Sequence, residues 1–395
     1  MTAQEYKAPE SVNHLQNGGF AVGGIALVLS GFLGLSKPDV FFHSYLMGYM
    51  LILGLALGSL GLMMLQHLTS GYWGIIIRRP LESATRTLPL LFVLFFPIWI
   101  FGMKYLYGAW LEPDRVKEEP LSNFQVSWLT QSGYRIRAII YFAVWIFLMW
   151  IFNRWSRQQD VDREDRALRQ RFKMLAGPGI ILYVFAMSFA AIDWVMSITP
   201  HWASTIYGFL FVAGQLISSM ALMIAVVVLL AQNGPLAGIL QKRHLRDLGG
   251  LLFAFIMLWA YFSFSQLLII WSGNLPEEIT FYRSRLYGSW GAVAIVVLIL
   301  HFFVPFFLLL SSDLKRNQRL LPKVALWMIF MRLVDIYWLT QPEFNKSALP
   351  QPLNFALPIA LLGIWLGFFA WNLKREPLLP LGDPKLAGAI ANHEH

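Results

Sequence analysis

The chain has 395 residues, 57% of them hydrophobic and only 13% charged, with a mean hydropathy of +0.55. That much apolar surface cannot be hidden in one water-soluble core, so the sequence reads as an all-α integral membrane protein. It contains no Cys, which removes disulfides, thiolate-ligated zinc, iron–sulfur clusters and covalently attached c-type haem. The formal charge of +9 sits on residues that flank apolar segments, which points to membrane topology and away from nucleic acid.

Apolar runs of bilayer-spanning length predict ten transmembrane helices, at about 18–35, 42–66, 86–104, 135–152, 175–196, 204–231, 247–272, 285–311, 322–338 and 354–373. The first follows a mixed-charge segment with Glu5, Lys7 and Glu10 and lacks a small-residue cleavage site, so a cleaved signal peptide is not expected. Most basic residues fall on the side of both termini: Lys7, Arg78, Arg79, Arg86, the run from Arg154 to Lys173, Lys242 to Arg246, Lys315 to Lys323, and Lys374 to Lys385. The other side has Lys37, Lys104, Arg115, Lys117, Arg135, Arg137, Arg283, Arg285 and Lys346. The asymmetry places both termini on the cytoplasmic side of the membrane. The charged 153–174 connection reads as a solvated linker, with an amphipathic extension of the fifth helix as the alternative.

The chain repeats itself. At an offset of 160, Gly48, Gly54, Ser59 and Met63 match Gly208, Gly214, Ser219 and Met223, and Arg86 and Trp99 match Arg246 and Trp259. Tyr134-Arg135-Ile136-Arg137 matches Tyr282-Arg283-Ser284-Arg285 at 148, and Asp193 matches Asp335 at 142. The expected organisation is an N-terminal segment with helix 1 (1–41), two same-orientation four-helix bundles (42–200, helices 2–5; 201–342, helices 6–9), and helix 10 with a C-terminal tail (343–395). Gly54, Gly58, Gly61, Gly214 and Ser218 read as close-packing positions.

An ionisable group in a lipid-spanning segment is a functional candidate by default. Asp193 and Asp335 are the two matched carboxylates. Arg332 precedes Asp335 by one turn and predicts an ion pair, whereas Ala190 leaves Asp193 without such a partner, which makes Asp193 the better candidate for a titrating group. His301 is deep in helix 8. Tyr261, Ser263, Ser265 and Gln266 in helix 7, with Gln215, Ser218 and Ser219 in helix 6, suggest a polar file running among helices 6 to 9. His positions do not pair at depths that would hold b-type haem, no cluster has metal-ligand spacing, and no GxxxxGK[ST] nucleotide loop occurs.

Several strings resemble the membrane subunits of alternative complex III, the bacterial quinol:cytochrome c oxidoreductase, and more broadly the polysulfide reductase membrane-subunit (NrfD-like) family. They are His67-Leu68-Thr69-Ser70-Gly71-Tyr72-Trp73-Gly74 with Arg78-Arg79-Pro80-Leu81-Glu82, Ala191-Ile192-Asp193-Trp194, Trp259 to Gln266, and Trp271-Ser272-Gly273-Asn274-Leu275-Pro276-Glu277-Glu278. The modest length and short tails look like the smaller of the two membrane proteins of this type in that complex. The resemblance implies a non-haem subunit contributing a proton path, with Asp193 and Asp335 at the outer ends of the two units, and, as a further expectation, a quinone pocket with Asp193, His43, His201 and Trp194 as its candidate contacts. Its partners would be a larger homologous quinol-oxidising membrane subunit, an iron–sulfur subunit and c-type cytochrome subunits, which would hold the haem and iron–sulfur clusters; lipids surround it. A secondary transporter built from parallel repeats, or a structural anchor for redox subunits, are the alternative readings.

Overall fold

The computed structural model describes residues 5–112, 121–162, 166–232 and 234–391, and every regular element among them is helical. Arg115, Lys117 and Arg163 lie outside the described residues. The long helices in chain order are α1 Glu10–Ser36, α2 Pro38–Thr69, α3 Trp73–Leu106, α4 Gln131–Val161, α5 Ala167–Ile198, α6 Tyr207–Gln232, α7 Lys242–Gly273, α8 Gly288–Leu310, α9 Leu321–Thr340 and α10 Pro352–Leu373. Nine of these, all but α9, are long and apolar enough to cross a membrane, which makes the chain a multi-pass membrane protein. α9 occupies the predicted ninth span but carries Lys323, Arg332 and Asp335 within its 20 residues.

The helices outrun the apolar runs that predict them. α4 continues to Val161 and α5 begins at Ala167, so the described part of the 153–174 stretch is mostly helix rather than linker. Arg, Gln and Leu are good helix formers and let a helix continue past the point where apolar character ends. α3 likewise starts well before residue 86, and Arg78 and Arg79, expected in a polar connection, are buried within its first segment, Trp73–Thr85. The helix breaks at Arg86-Thr87 ahead of Pro89, which has no N–H to donate to the Thr85 carbonyl. Two π-helical turns accompany prolines within spans: Ile98–Gly102 follows Pro97, and Val297–Phe303 precedes Pro305.

Two hydrogen bonds fix the faces of the assembly. Lys374 Nζ donates to Asn13 Oδ1 at 2.7 Å and Leu378 N to Tyr6 O at 2.8 Å, so the start of α1 and the end of α10 share one face, here the near face. The α1–α2 turn lies at the opposite, far face. α2 is the central element: its apolar stretch is entirely buried, and it packs on α3, α5, α6, α9 and α10. α1 shows most of its apolar side chains to the outside, as a lipid-facing helix does.

α2 and α6 cross at small residues. The Ser59 and Ser219 hydroxyls are 2.7 Å apart, so two residues that the 160-residue repeat pairs in sequence also touch in space. Gly58 faces the backbone of Gln215, and a Cβ at position 58 would collide with the Gln215 carbonyl and with Ser219. Neither backbone can give way without parting the seam. Gly58→Ala is therefore expected to cost about 1–3 kcal/mol by overpacking, read as a lowered unfolding midpoint of the purified chain in nanodiscs. An unchanged midpoint would show that the seam is looser than described.

Candidate functional site: two buried aspartates of different character

Asp193 stands near the end of α5, fully buried. Arg137 grips it from α4 in a two-point fork, Nε to Oδ2 at 2.8 Å and Nη2 to Oδ1 at 2.8 Å. Tyr141, one helical turn beyond Arg137, donates its hydroxyl to Oδ2 at 2.7 Å, and Trp128 Nε1 donates to Oδ1 at 2.9 Å. The Trp128 ring also lies 4.2 Å from the Arg137 guanidinium carbon. Each carboxylate oxygen thus accepts two bonds, and two-point charge-assisted pairs are both strong and orienting. The expectation that Asp193 lacks an ionic partner is corrected here. Ala190 speaks only for its own helix, whereas the cation arrives from the neighbouring one.

Asp335 on α9 pairs with Arg332 on the same helix, as the one-turn spacing predicts. Trp259 Nε1, midway along α7, donates to the same oxygen, Oδ2, at 3.2 Å. The other oxygen, Oδ1, is buried with no hydrogen-bond partner. The Trp259 ring meets the His301 ring edge to face, centroids 4.5 Å apart at 76°. His301 is fully buried inside the π-helical turn of α8, and neither ring nitrogen has a partner. Arg332 is wedged against Gly214, where a Cβ would run into its guanidinium, and lies 5.4 Å over the Phe211 ring. One Trp therefore touches two groups that together hold three unmet polar atoms. Buried polar atoms are almost always satisfied, by protein or by ordered water, and π-helical turns recur at functional positions.

The other predicted residues are dispersed. Tyr261 is 64% exposed, because it stands two residues beyond Trp259 and so on the outer side of α7; it leaves the inner file to which it was assigned. Ser263 and Ser265 are half-buried on the same helix. Gln266 braces the far end of α7: its Nε2 donates to Tyr282 OH at 3.3 Å, and Ser204 donates to its Oε1 at 3.3 Å. Burial pushes the Tyr282 hydroxyl up to about 12, so it keeps its proton and serves as a fixed partner. Of the helix 6 polar groups, Gln215 and Ser219 lie in the α2–α6 seam, with Gln215 Oε1 accepting from Tyr183 OH at 2.7 Å, while Ser218 bonds its own helix at Gly214 O.

The four candidate quinone contacts have different surroundings. Asp193 is held as described, and Trp194 is packed among Phe95, Phe142 and Trp145. His43 lies flat on Phe344, centroids 3.6 Å apart, with its Nε2 3.1 Å from Tyr105 O. His201 is exposed.

A third polar cluster, for which the sequence suggested no role, sits at the near face. Glu82 is fully buried and receives Arg78 Nε at 3.1 Å, Arg79 Nη1 at 2.6 Å and Ser156 Oγ at 2.5 Å. Arg78 also reaches Gln159 at 2.8 Å and Asp383 at 2.7 Å, Arg79 pairs with Asp160 and Glu376, and Arg86 forms an ion pair with Glu376 at 2.6 Å. The signal was present as Arg78-Arg79 spaced three and four residues from Glu82, with Arg86 a further turn on. Beside the cluster is a cavity of about 20 Å³, lined in part by Gln66, His67, Arg78, Gln159, Asp383 and Lys385. Gln66 Oε1 and His67 Nε2 are buried there without partners. Among the described residues no group of three or more His, Cys, Asp or Glu side chains is placed to hold a metal ion. A scan against known protein families finds no match for the chain, and a search of curated proteins finds none either.

Proposed function

We propose that the chain is a non-haem membrane subunit of a respiratory quinol:cytochrome c oxidoreductase, of the alternative complex III kind, and that its contribution is a proton path centred on His301 and Asp335. The observation that carries this reading is the set of three unmet buried atoms around Trp259, the two His301 nitrogens and Asp335 Oδ1. A neutral imidazole accepts a proton at one nitrogen and releases one from the other. Water between His301 and Asp335 Oδ1 would complete that relay. Arg332 keeps Asp335 in a paired, charge-balanced state, and Trp259 fixes both groups. The redox centres belong to partner subunits, and quinol oxidation is assigned to the assembly rather than to a pocket in this chain.

In this reading α9 is the tenth crossing. Two of its three charges are spent on each other inside the bundle, and Lys323 stands in its first turn. The Gln341 amide, just past the end of α9, donates to His43 O at the far face, while Leu321 at its start lies by Gly249 near the beginning of α7. The Ser59–Ser219 contact supports the two-unit arrangement, because equivalent residues of a parallel repeat meet where their symmetry axis passes. The basic near face is taken as cytoplasmic, which puts Asp193 toward the periplasm.

Gentle purification of the tagged chain from native membranes tests the assignment. Co-purification with c-type cytochrome and iron–sulfur subunits, with quinol:cytochrome c reductase activity, is expected. Recovery of the chain alone with a bound solute would favour a secondary transporter and end this reading.

A further inference from the structure

We infer that residues 374–391 form a latch at the near face, in which the chain's own carboxylates occupy a cationic site on α3 and its last residues tie that site to α7. The cationic site is Arg78, Arg79 and Arg86. Their fixed partners on the body are Glu82 and Asp160, two carboxylates for three guanidinium groups. Glu376 and Asp383 come from the segment after α10 and bring the carboxylates to four, Glu376 between Arg79 and Arg86 with Arg157 4.0 Å away, and Asp383 on Arg78. Without the segment, three guanidinium groups, two of them on side chains that are 2% exposed with it in place, would share two carboxylates.

The rest of the segment is built to hold this position. Leu378 and Leu379 are fully buried, and Gly382 N donates to Asp160 Oδ1 at 3.1 Å. Lys385 Nζ donates to the carbonyl of Ser70, the left-handed residue that ends α2, at 2.5 Å. Beyond it the short helix Leu386–Ile390 offers its carbonyls to α7: Arg243 Nη2 donates to Ala389 O and Ala391 O at 2.8 Å, and His244 Nε2 lies 3.1 Å from Ala389 O. One short stretch thus bonds α2, α3 and α4 at one end and α7 at the other, and Asp383 and Lys385 roof the 20 Å³ cavity.

The attachment is part apolar and part ionic, so it is severable by charge. Removing the partners of a buried ion pair costs several kcal/mol, and local segments open independently of the whole fold. The test is hydrogen–deuterium exchange of the full chain in nanodiscs, comparing the parent with E376Q/D383N. Exchange of amides 376–391 should rise on the order of 100-fold, together with α3 residues 73–85 and the first turn of α7, while the α1–α10 contact stays protected. A milder variant, R243A, removes two of the bonds at the α7 end while those of Gln241 and His244 remain, and should raise exchange within 386–391 alone. Unchanged exchange of 376–391 in both variants, or a uniform rise along the whole chain, would overturn the latch. Neither result depends on the proposed proton path.

Discussion

Replacing Asp193 by Asn is expected to destabilise the folded chain by about 3–5 kcal/mol, the usual consequence of stripping one partner from a buried ion pair. The amide keeps one acceptor but turns a donor toward a place where Arg137, Tyr141 and Trp128 already supply four donors. Arg137 is 16% exposed and leans on the Trp128 ring, so part of its charge can be met by water, and the cost should fall toward the lower end of that range. Denaturant unfolding of the purified chain in nanodiscs reads the difference, and Asp193→Glu should recover part of it. A variant with parental stability would mean that the four bonds are not what holds the end of α5 to α4.

His301→Leu is expected to behave in the opposite way. Deleting a buried polar group that has no protein partner removes an uncompensated desolvation cost, so stability should change by less than about 1 kcal/mol and in either direction. Proton delivery by the assembled complex should nevertheless fall by at least about tenfold, since general acid–base groups typically contribute roughly 100- to 10,000-fold. Unfolding and proton-release measurements on the same preparation separate the two effects. A His301→Leu chain that unfolds readily would assign the imidazole to packing against Trp259, and the relay would lose its central member.

The pair of variants reflects a reversal of the two aspartates. Along the helix, Asp335 has a cation one turn away and Asp193 has none, so the sequence favours Asp193 as the group free to titrate. The folded chain brings Arg137 and Tyr141 to Asp193 from another helix, a contact with a sequence separation above 50 that no local spacing rule detects. It leaves Asp335 with one satisfied oxygen and one open one. What was legible is what depends on near neighbours: the apolar runs, the Arg332–Asp335 pair, and the repeat that matches Ser59 to Ser219. The small residues of α2 also read correctly as packing positions.

What was not legible depends on where helices end and which faces they turn inward. Arg78 and Arg79 look like loop cations until α3 is seen to begin at Trp73, and the 153–160 charges look solvated until α4 carries Asn153, Ser156 and Asp160 against them. Tyr261 belonged to a plausible polar string, but the 3.6-residue period of the helix turns it to the outside while Trp259 and Gln266 stay in. The role of the C-terminal segment rests on pairs about 300 residues apart, such as Arg78 with Asp383.

The most direct measurement is the number of protons released per electron transferred by the purified complex in sealed vesicles, compared between the parent and the His301→Leu variant at matched rates of cytochrome c reduction. Reduction is expected to continue while the proton yield attributable to this subunit is lost. A parental proton yield in the variant would contradict it and would leave the chain as a structural anchor for its redox partners.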